Sequence, residues 1–256
     1  MRRPIVFVTD YGRDDAYAAA LIGAVWRSDP EAVCLEGTHG VPLGDVIAAA
    51  YHIKSLAYAF YGNIIFCAVV DPGVGSERRA IAAQCGSVIV VGPDNGLISY
   101  VWGEVVPHQR KAVELLTPEW ASHTFHGRDV FAPAAAELAS GTKLTDVGEP
   151  IDDPVILPEA FATTDGKGIR GRVILIDHFG NAITNIRASD MRGVAGRGVR
   201  WPGGGAERLV ATYTDIGKGV AALFGSVGHL EIAAREVPAA ERGGPKLGDE
   251  ITVNVA

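Results

Sequence analysis

The stretch from Asn63 to Arg78 reads NIIFCAVVDPGVGSER, an unbroken apolar run followed at once by a polar loop that contains glycines. A continuous apolar run of this length is typical of a strand that is buried on both faces of a parallel sheet. In open parallel sheets, ligands bind beyond the carboxyl ends of the strands, where this loop would lie. The stretch therefore predicts an α/β fold and places candidate functional residues at its strand ends.

The remainder of the first 157 residues shows the same alternation of strand-like and helical segments, which is typical of βαβ units. Apolar runs predict strands at Ile5–Val8, Ile64–Val70 and Val88–Val91. Apolar residues at three- and four-residue spacing predict helices at Ala16–Trp26, Asp45–Phe60 and Val130–Ala139. We therefore expect an N-terminal α/β domain over residues 1–157, with a mostly parallel central sheet.

After Pro150 the sequence changes character. The segment DDPVILPEAF is rich in proline, and we predict a connector over residues 158–167. Strand-like runs separated by glycine-rich turns then follow: RVILID (172–177), ERLVATY (207–213), GVAALFG (219–225), HLEIAA (229–234) and DEITVNV (249–255). These runs predict a C-terminal all-β domain over residues 168–256, with the form of a small barrel or sandwich.

Composition excludes several classes of protein. Hydrophobic residues make up 48% of the 256 residues, charged residues make up 21%, and no apolar run approaches the roughly 20 residues that span a bilayer. The first apolar run stops at Asp10, which is too early for a secretory signal, so we expect a cytoplasmic protein. The net charge of -7 and the scattered basic residues argue against a nucleic-acid partner. Three cysteines without CxxC spacing indicate neither a disulfide framework nor a zinc site.

Polar residues follow the predicted strands of the first domain. Asp10 can accept hydrogen bonds from both hydroxyls of a ribose, or it can form an N-cap or an Asx-turn. The segment GVGSER has Arg78 where a dinucleotide-binding fingerprint needs its third glycine, so it does not predict NAD binding. Its glycines instead allow a tight turn in which Arg78 folds back towards Asp71. Such a pair of opposite charges can hold a small polar molecule such as water.

Two further clusters contain groups suited to ligand binding. Residues 124–129, TFHGRD, place an aromatic ring, the imidazole of His126 and a charge pair ahead of a helix, although a structural histidine is the alternative. Residues 177–185 begin with a carboxylate and include Phe179, which can stack on an adenine, and Asn181, whose amide can read its edge. The alternative for this second cluster is a β-hairpin corner at Gly180-Asn181.

Taken in order, seven motifs resemble those of the S-adenosylmethionine (SAM) hydroxide adenosyltransferases, which are relatives of the fluorinases and chlorinases. The motifs are TDYG, TH at 38–39, VVDPGVGSER, GPDNGL, TFHGRDVFAPAAAELA, IDHFGNAITNI and GSVGHLEIA. They cover nearly the whole chain, and seven motifs in the right order are far more specific than any one of them.

The resemblance implies an N-terminal α/β domain, a C-terminal β-barrel domain and a homotrimer with active sites between subunits. It implies hydrolysis of SAM to adenosine and methionine, by in-line attack of an activated water on the ribose C5′, without a metal or another cofactor. By the same resemblance the catalytic residues are Asp71, Arg78 and His126. The substrate-binding residues that it implies are Asp10 at the ribose hydroxyls, Phe125, Asp177 at the methionine end, Phe179 and Asn181 at the adenine, Ser226, Glu231 and Ala239.

Two positions distinguish the branches of this superfamily. The halogenases carry a Tyr where Asp71 stands and a Ser where Gly127 stands, so the chain resembles the hydrolytic branch. One segment departs from the family pattern. Residues 235–240 read REVPAA, where the family usually has an Asn-Gly pair before the alanines.

Two other functions remain as alternatives. The N-terminal segment IVFVTDYGRDDAYAAA is similar to the calcium motif of metal-dependent nucleoside hydrolases, with Asp10, Asp14 and Asp15 as oxygen ligands. That family opens with two acids flanking one residue, and the first of these positions is Val8 here. The other alternative is an adenosine- or SAM-binding protein without catalytic activity, which the presence of Asp71, Arg78 and His126 disfavours.

Overall fold

A computed structural model describes residues 2–165, 168–192 and 198–254 and divides the chain into two compact units, 1–157 and 158–256. Residues 166–167 of the predicted connector and Val255 of the last predicted strand lie outside the described residues. No helix within the described ranges is both long and apolar enough to cross a bilayer.

The first unit contains a seven-stranded sheet and four α-helices. Its strands are β1 (Ile5–Thr9), β2 (Cys34–Thr38), β3 (Ile65–Val69), β4 (Ala80–Cys85), β5 (Val88–Pro93), β6 (Arg110–Leu115) and β7 (Gly148–Ile151). Its helices are α1 (Tyr17–Ser28), α2 (Val46–Ala59), α3 (Ser99–Glu104) and α4 (Ala132–Ser140). A π-helical turn, Gly127–Phe131, leads directly into α4.

The strand order of this sheet is β2-β1-β3-β5-β4-β6-β7. The neighbours β2, β1, β3 and β5 are parallel, and β4 and β7 run against the others, so five of the seven strands share one direction. This architecture confirms the predicted α/β class with a mostly parallel sheet. The parallel half brings the carboxyl ends of β1 and β3 to the same edge.

The central strands are buried along their whole length, as their continuous apolar sequences indicate. Successive side chains of β1 point to opposite faces of the sheet. Phe7 belongs to the apolar cluster that contains Leu21 of α1 and much of α4. The neighbouring Val6 lies with Leu56 of α2 around Gly37. Helices therefore cover both faces of the parallel strands and leave their carboxyl ends accessible to a ligand.

In its described residues, the second unit forms an eight-stranded antiparallel sheet. Its strands are β8 (Thr163–Asp165), β9 (Gly168–Ile176), β10 (Ala182–Arg187), β11 (Val199–Trp201), β12 (Gly204–Ala206), β13 (Val220–Phe224), β14 (His229–Ala234) and β15 (Glu250–Asn254). The order is β12-β11-β15-β9-β10-β14-β13, with β8 paired to β9. The end strands β12 and β13 contact each other, so the sheet is nearly closed and barrel-like, as predicted.

Two segments of the second unit differ from their sequence-based description. The predicted connector contributes a 3₁₀ turn, Pro158–Ala160, and the strand β8. The predicted strand at 207–213 is wrong, because the segment forms only an isolated bridge between Leu209 and Ala222. Thr212 and Asp215 form a capping box there, which starts a 3₁₀ turn instead of extending a strand.

Candidate active site

Four loops of the first unit line one cavity of about 520 Å³. The loop after β1 contributes Asp10, the loop after β2 contributes Gly44, the loop after β3 contributes Asp71, and the segment before α4 contributes Phe125 and His126. Three of these loops follow parallel strands at their carboxyl ends, where the sequence predicted candidate functional residues. The volume is in the range of small-molecule sites in proteins.

The loop after β3 is folded back by hydrogen bonds within itself. The Val74 amide donates to the Asp71 carbonyl at 3.2 Å, and the Ser76 amide and hydroxyl donate to the Gly73 carbonyl at 3.1 and 2.7 Å. Gly75 has φ of +79°, and a Cβ at this position would lie 2.6 Å from the His123 carbonyl oxygen. Only glycine therefore allows this turn to pack against the segment that carries His126.

The folded loop brings Arg78 onto Asp71 and His126. The Arg78 guanidinium donates from Nε to Asp71 Oδ1 at 3.0 Å and from Nη2 to Asp71 Oδ2 at 2.5 Å. Nη2 also lies 2.8 Å from His126 Nδ1, and the guanidinium carbon stands 5.3 Å from the centre of the Phe131 ring. The side chains of Asp71 and Arg78 are only 6% and 11% exposed. The three predicted catalytic residues thus form one hydrogen-bonded cluster that includes two residues of the cavity wall.

The bond to Arg78 determines where His126 carries its proton. A guanidinium can only donate, so Nδ1 of His126 must accept, and the proton of the neutral ring lies on Nε2. Burial lowers the pKa of His126 below its ordinary value, and the nearby Arg78 charge lowers it further, against an opposing effect of Asp71. His126 is therefore neutral near pH 7.

This protonation state predicts how activity depends on pH. We expect kcat/KM to fall as pH is lowered through a pKa below 6.5, because protonated His126 has no lone pair for Arg78. Because the pKa of His126 is lower in the folded protein than in the unfolded chain, the unfolded chain takes up the proton first as the pH falls. Neutral His126 therefore contributes to stability above pH 6.5, and this contribution is lost on acidification. The pH profiles of wild type and His126→Asn check the assignment. If the variant kept the same acid limb, another group would be responsible for it.

Asp10 lies directly after β1 and faces the same cavity. Its Oδ2 accepts a hydrogen bond of 2.9 Å from the amide of Gly44, which belongs to the loop after β2. Helix α1 begins at Tyr17 with Ala16 as its N-cap, so Asp10 is not the cap of that helix. Its bond to a neighbouring loop also distinguishes it from an Asx-turn. Asp10 is therefore a carboxylate that a neighbouring loop holds in the cavity wall.

Three aromatic rings form the side of the cavity next to His126. Tyr11, Tyr17 and Phe125 contact one another with centroid distances of 5.3 to 5.8 Å in tilted or edge-on arrangements. Burial raises the pKa of the Tyr11 phenol, so this group stays protonated. The Arg128 guanidinium stands 5.0 Å from the centre of the Phe125 ring. Phe125, a predicted substrate-binding residue, thus lines the same cavity as Asp10 and His126.

The absence of a side chain at Gly127 leaves room for Tyr11. A Cβ on Gly127 would collide with the Tyr11 hydroxyl and would lie 3.1 Å from Leu21 Cδ2. We expect Gly127→Ala to lower the free energy of unfolding by about 1–3 kcal/mol and to raise KM for the substrate, because Tyr11 must leave its place in the wall. Gly23→Ala is the matched control, since Gly23 lies in α1 with no atom within 4 Å of its Cβ position. An unchanged melting temperature and KM in Gly127→Ala would show that the wall adapts freely.

The other predicted substrate residues form a separate group in the second unit. Asp177 closes a hairpin corner, where its Oδ1 accepts from the amides of Phe179 and Asn181 and its Oδ2 accepts from the Asn181 side chain at 2.9 Å. The structural alternative for this corner is thus realised, with Phe179 left 75% exposed. Gly180, with φ of +82°, packs on Pro238 and accepts from the amide of Ala239.

Glu231 of β14 belongs to the same group. It is 6% exposed and accepts a hydrogen bond of 2.7 Å from the hydroxyl of Tyr213, a residue that the sequence did not single out. Burial raises the pKa of Glu231, and the Asp177 charge adds to this effect. Ser226 is exposed in the turn between β13 and β14. Asp177, Asn181, Glu231 and Ala239 are therefore neighbours in the second unit, as Asp10, Asp71, Arg78, Phe125 and His126 are in the first.

Sequence reasoning also missed a buried pair beside Asp10. Thr9 and His39 are 0% and 2% exposed, and Thr9 Oγ1 lies 2.8 Å from His39 Nδ1. The TH motif at 38–39 marked His39 without indicating a role for it. Within the described ranges, no group of three or more His, Cys, Asp or Glu side chains is arranged to hold a metal ion, and this holds for Asp10, Asp14 and Asp15.

Comparison with known proteins gives the same match in both units. Sequence models of the N-terminal and C-terminal domains of the SAM hydroxide adenosyltransferase family match residues 5–148 and 171–252. Two proteins named (R)-S-adenosyl-L-methionine hydrolase, from Salinispora tropica and Thermus thermophilus, are each 36% identical to the chain. The match covers 97% of this chain for the first protein and 96% for the second, and 97% of the length of each relative. A fluorinase from an Actinoplanes species is 27% identical over 98% of this chain and 97% of its own. The crystal structure of an uncharacterized conserved protein from Thermotoga maritima superposes with a TM-score of 0.86 at 29% identity, covering 98% of this chain and 99% of that one.

Proposed function

This chain belongs to the SAM hydroxide adenosyltransferase family, and from this premise we propose that it hydrolyses SAM to adenosine and L-methionine. The observation that supports this function best is the cluster of Asp71, Arg78 and His126 at the wall of a cavity that also presents Asp10. The greater identity to the hydrolases than to the fluorinase agrees with Asp71 at the position where the halogenases carry a Tyr.

The electrophile of this reaction needs little help from the protein. The sulfonium of SAM carries a positive charge, and methionine leaves as a neutral thioether when the electron pair of the C5′–S bond passes to sulfur. No general acid is needed for this departure. The task of the protein is to hold a water molecule in line with that bond, opposite sulfur, and to remove its proton.

Within the cluster, Asp71 is the group that can take that proton. Neutral His126 has one acceptor lone pair, on Nδ1, and the bond from Arg78 already occupies it. The Asp71 carboxylate oxygens keep further lone pairs that can accept a proton. The water oxygen bonds to C5′ as its proton passes to Asp71. Arg78 stabilises the negative charge that develops, and His126 holds Arg78 in place.

The names of the relatives specify the (R) epimer at sulfur, and we extend this substrate to the present chain. The two epimers differ in the directions of the methyl and methionine groups around sulfur. A site that aligns C5′, sulfur and water must therefore treat them differently. We expect kcat/KM to be higher for (R)-SAM than for (S)-SAM, as measured with the separated epimers.

The remaining features of the proposal follow the family resemblance. We propose a cytoplasmic homotrimer with active sites between subunits, without a nucleic-acid partner and without a metal or other cofactor. The described cysteines Cys34, Cys67 and Cys85 are free thiols, which agrees with a reducing compartment. Light scattering of the purified protein measures the assembly, and a mass other than that of three chains would contradict the trimer.

Hydrolysis in ¹⁸O-labelled water tests the reaction itself. Purified, chelator-treated protein is incubated with SAM, and the products are analysed by mass spectrometry. The expected products are methionine and adenosine that carries ¹⁸O at its 5′ oxygen. Loss of turnover on chelation that a divalent cation restores would favour the metal-dependent nucleoside hydrolase. Intact SAM under all conditions would favour a binding protein.

A further inference from the structure

The buried pair of Thr9 and His39 joins the ends of the neighbouring strands β1 and β2, next to Asp10 in the chain. Thr9 is the last residue of β1, His39 follows β2, and the 2.8 Å contact between Thr9 Oγ1 and His39 Nδ1 links them. Both side chains are almost completely buried. The pair is therefore a polar connection inside the sheet and not part of the solvent-exposed surface.

Backbone hydrogen bonds extend this connection around Asp10. The Gly12 amide donates to the His39 carbonyl at 2.8 Å, and the Val41 amide donates to the Thr9 carbonyl at 3.2 Å. The Gly44 amide then donates to the Asp10 carboxylate at 2.9 Å. The loop after β1 and the loop after β2 are thus joined on both sides of Asp10, and the position of its carboxylate depends on both.

One hydrogen links the two side chains of the pair. Thr9 Oγ1 accepts from the amide of Tyr11 at 3.2 Å and keeps a second lone pair, so the hydrogen shared with His39 Nδ1 belongs either to the hydroxyl or to the ring. Burial lowers the pKa of His39, which favours the neutral ring in both arrangements. In both arrangements Nε2 of His39 is a buried polar atom without a hydrogen-bond partner among the described residues.

An unpartnered buried polar atom is costly, and an apolar side chain at position 39 would avoid this cost. We expect the accurate placement of Asp10 to offset the cost of this unpartnered atom. An in-line displacement at C5′ requires the ribose to be held accurately relative to Asp71, Arg78 and His126. We propose that Thr9 and His39 are positioning residues that hold Asp10 for the ribose hydroxyls of the substrate. This inference rests on the proposed function.

Ligands with and without the ribose 2′-hydroxyl test the proposal directly. If the pair acts through Asp10, Thr9→Val should weaken recognition of the hydroxyl, whereas a general loss of structure should affect both ligands alike. We expect wild type to bind adenosine more tightly than 2′-deoxyadenosine in calorimetry, and Thr9→Val to reduce this preference by about 10-fold. The kcat/KM for SAM relative to its 2′-deoxy analogue should fall by a similar factor. Thr9→Ser, which keeps the hydroxyl, should restore both preferences.

Thr184→Val is the matched control. Thr184 is fully buried, and its Oγ1 accepts from the amide two residues later at 3.1 Å, as Thr9 Oγ1 does. We expect it to lower stability as Thr9→Val does, with the preference for the ribose hydroxyl unchanged. If Thr9→Val does not fold, His39→Leu is used, because it removes both the partner of Thr9 and the unpartnered Nε2.

The outcomes separate this inference from the proposed function. Equal weakening of both ligands in Thr9→Val and His39→Leu, or the same loss of preference in Thr184→Val, would overturn the positioning role. Absence of any preference in wild type would also overturn it. A wild type that prefers adenosine but leaves SAM intact, with the preference lost in Thr9→Val, would refute the hydrolase and retain the pair as positioning residues for a nucleoside site.

Discussion

Asp71→Asn is expected to lower kcat for SAM hydrolysis by about 10² to 10³, the scale of losing a positioned proton acceptor together with its charge. Asparagine keeps the shape of the side chain and one oxygen acceptor. It cannot take the proton of water, and it leaves the largely buried Arg78 without its carboxylate. Single-turnover kinetics with saturating SAM measure the change in the chemical step directly.

The pair of Asp94 and Arg79 supplies the control for this variant. Arg79 Nε donates to Asp94 Oδ2 at 2.8 Å, and the Asp94 side chain is 2% exposed. Asp71→Asn leaves the largely buried Arg78 without its carboxylate and should lower the free energy of unfolding by about 3 kcal/mol. Asp94→Asn removes one of the two carboxylates that pair with Arg79, since Asp153 also pairs with it at 2.6 Å, and should lower the free energy of unfolding by a smaller amount. Only Asp71→Asn should lower kcat strongly. A comparable loss of kcat in Asp94→Asn would mean that the effect comes from destabilisation.

Arg78→Lys is expected to lower kcat by about 10² or more, although it preserves the positive charge. Arg78 contacts both oxygens of Asp71 and also Nδ1 of His126, through Nε and Nη2. The single ammonium of lysine cannot reproduce this planar geometry, and it loses the contact of the guanidinium with the Phe131 ring. The charge that develops on the attacking oxygen would then be stabilised poorly.

Two measurements distinguish this effect from a general effect of the substitution. Arg79→Lys removes a guanidinium of the same unit that is paired with Asp94, and it should leave kcat within a few-fold of wild type. The acid limb of the pH profile should also move in Arg78→Lys, because Arg78 is one of the causes of the lowered pKa of His126. Wild-type kcat in Arg78→Lys would show that charge alone suffices at this position.

Much of the first unit could be predicted because its signals are local. The run from Ile64 to Val70 is apolar throughout, and a strand buried on both faces needs such a run. The strand β4, Ala80–Cys85, was not predicted, because its sequence AIAAQC is half alanine and contains a single β-branched residue, which gives a weak strand signal. The opposite error occurred at 207–213, where a strand-like composition is overruled by the capping box of Thr212 and Asp215.

The positions of the candidate site residues could also be predicted, since polar residues at strand ends stand out against apolar runs. Their mutual bonds could not, because these depend on contacts between distant parts of the chain. Arg78 and His126 are 48 residues apart and Thr9 and His39 are 30 apart, and only closure of the intervening loops brings each pair together. The same holds for Tyr213, which reaches Glu231 across 18 residues from an exposed turn.

The sequence by itself therefore determined the α/β class of the first unit, the β class of the second, the family and the chemical groups available for catalysis. Each of these follows from hydrophobic periodicity or from residue types in a fixed order, which a linear chain displays directly. The tertiary structure alone decided that Arg78 bridges Asp71 and His126, that Nδ1 of His126 is an acceptor, and that Asp10 is held from behind by Thr9 and His39. A hydrogen bond forms only when the distance between donor and acceptor is correct to within a few tenths of an ångström. Only the packed chain defines distances between distant residues with that precision.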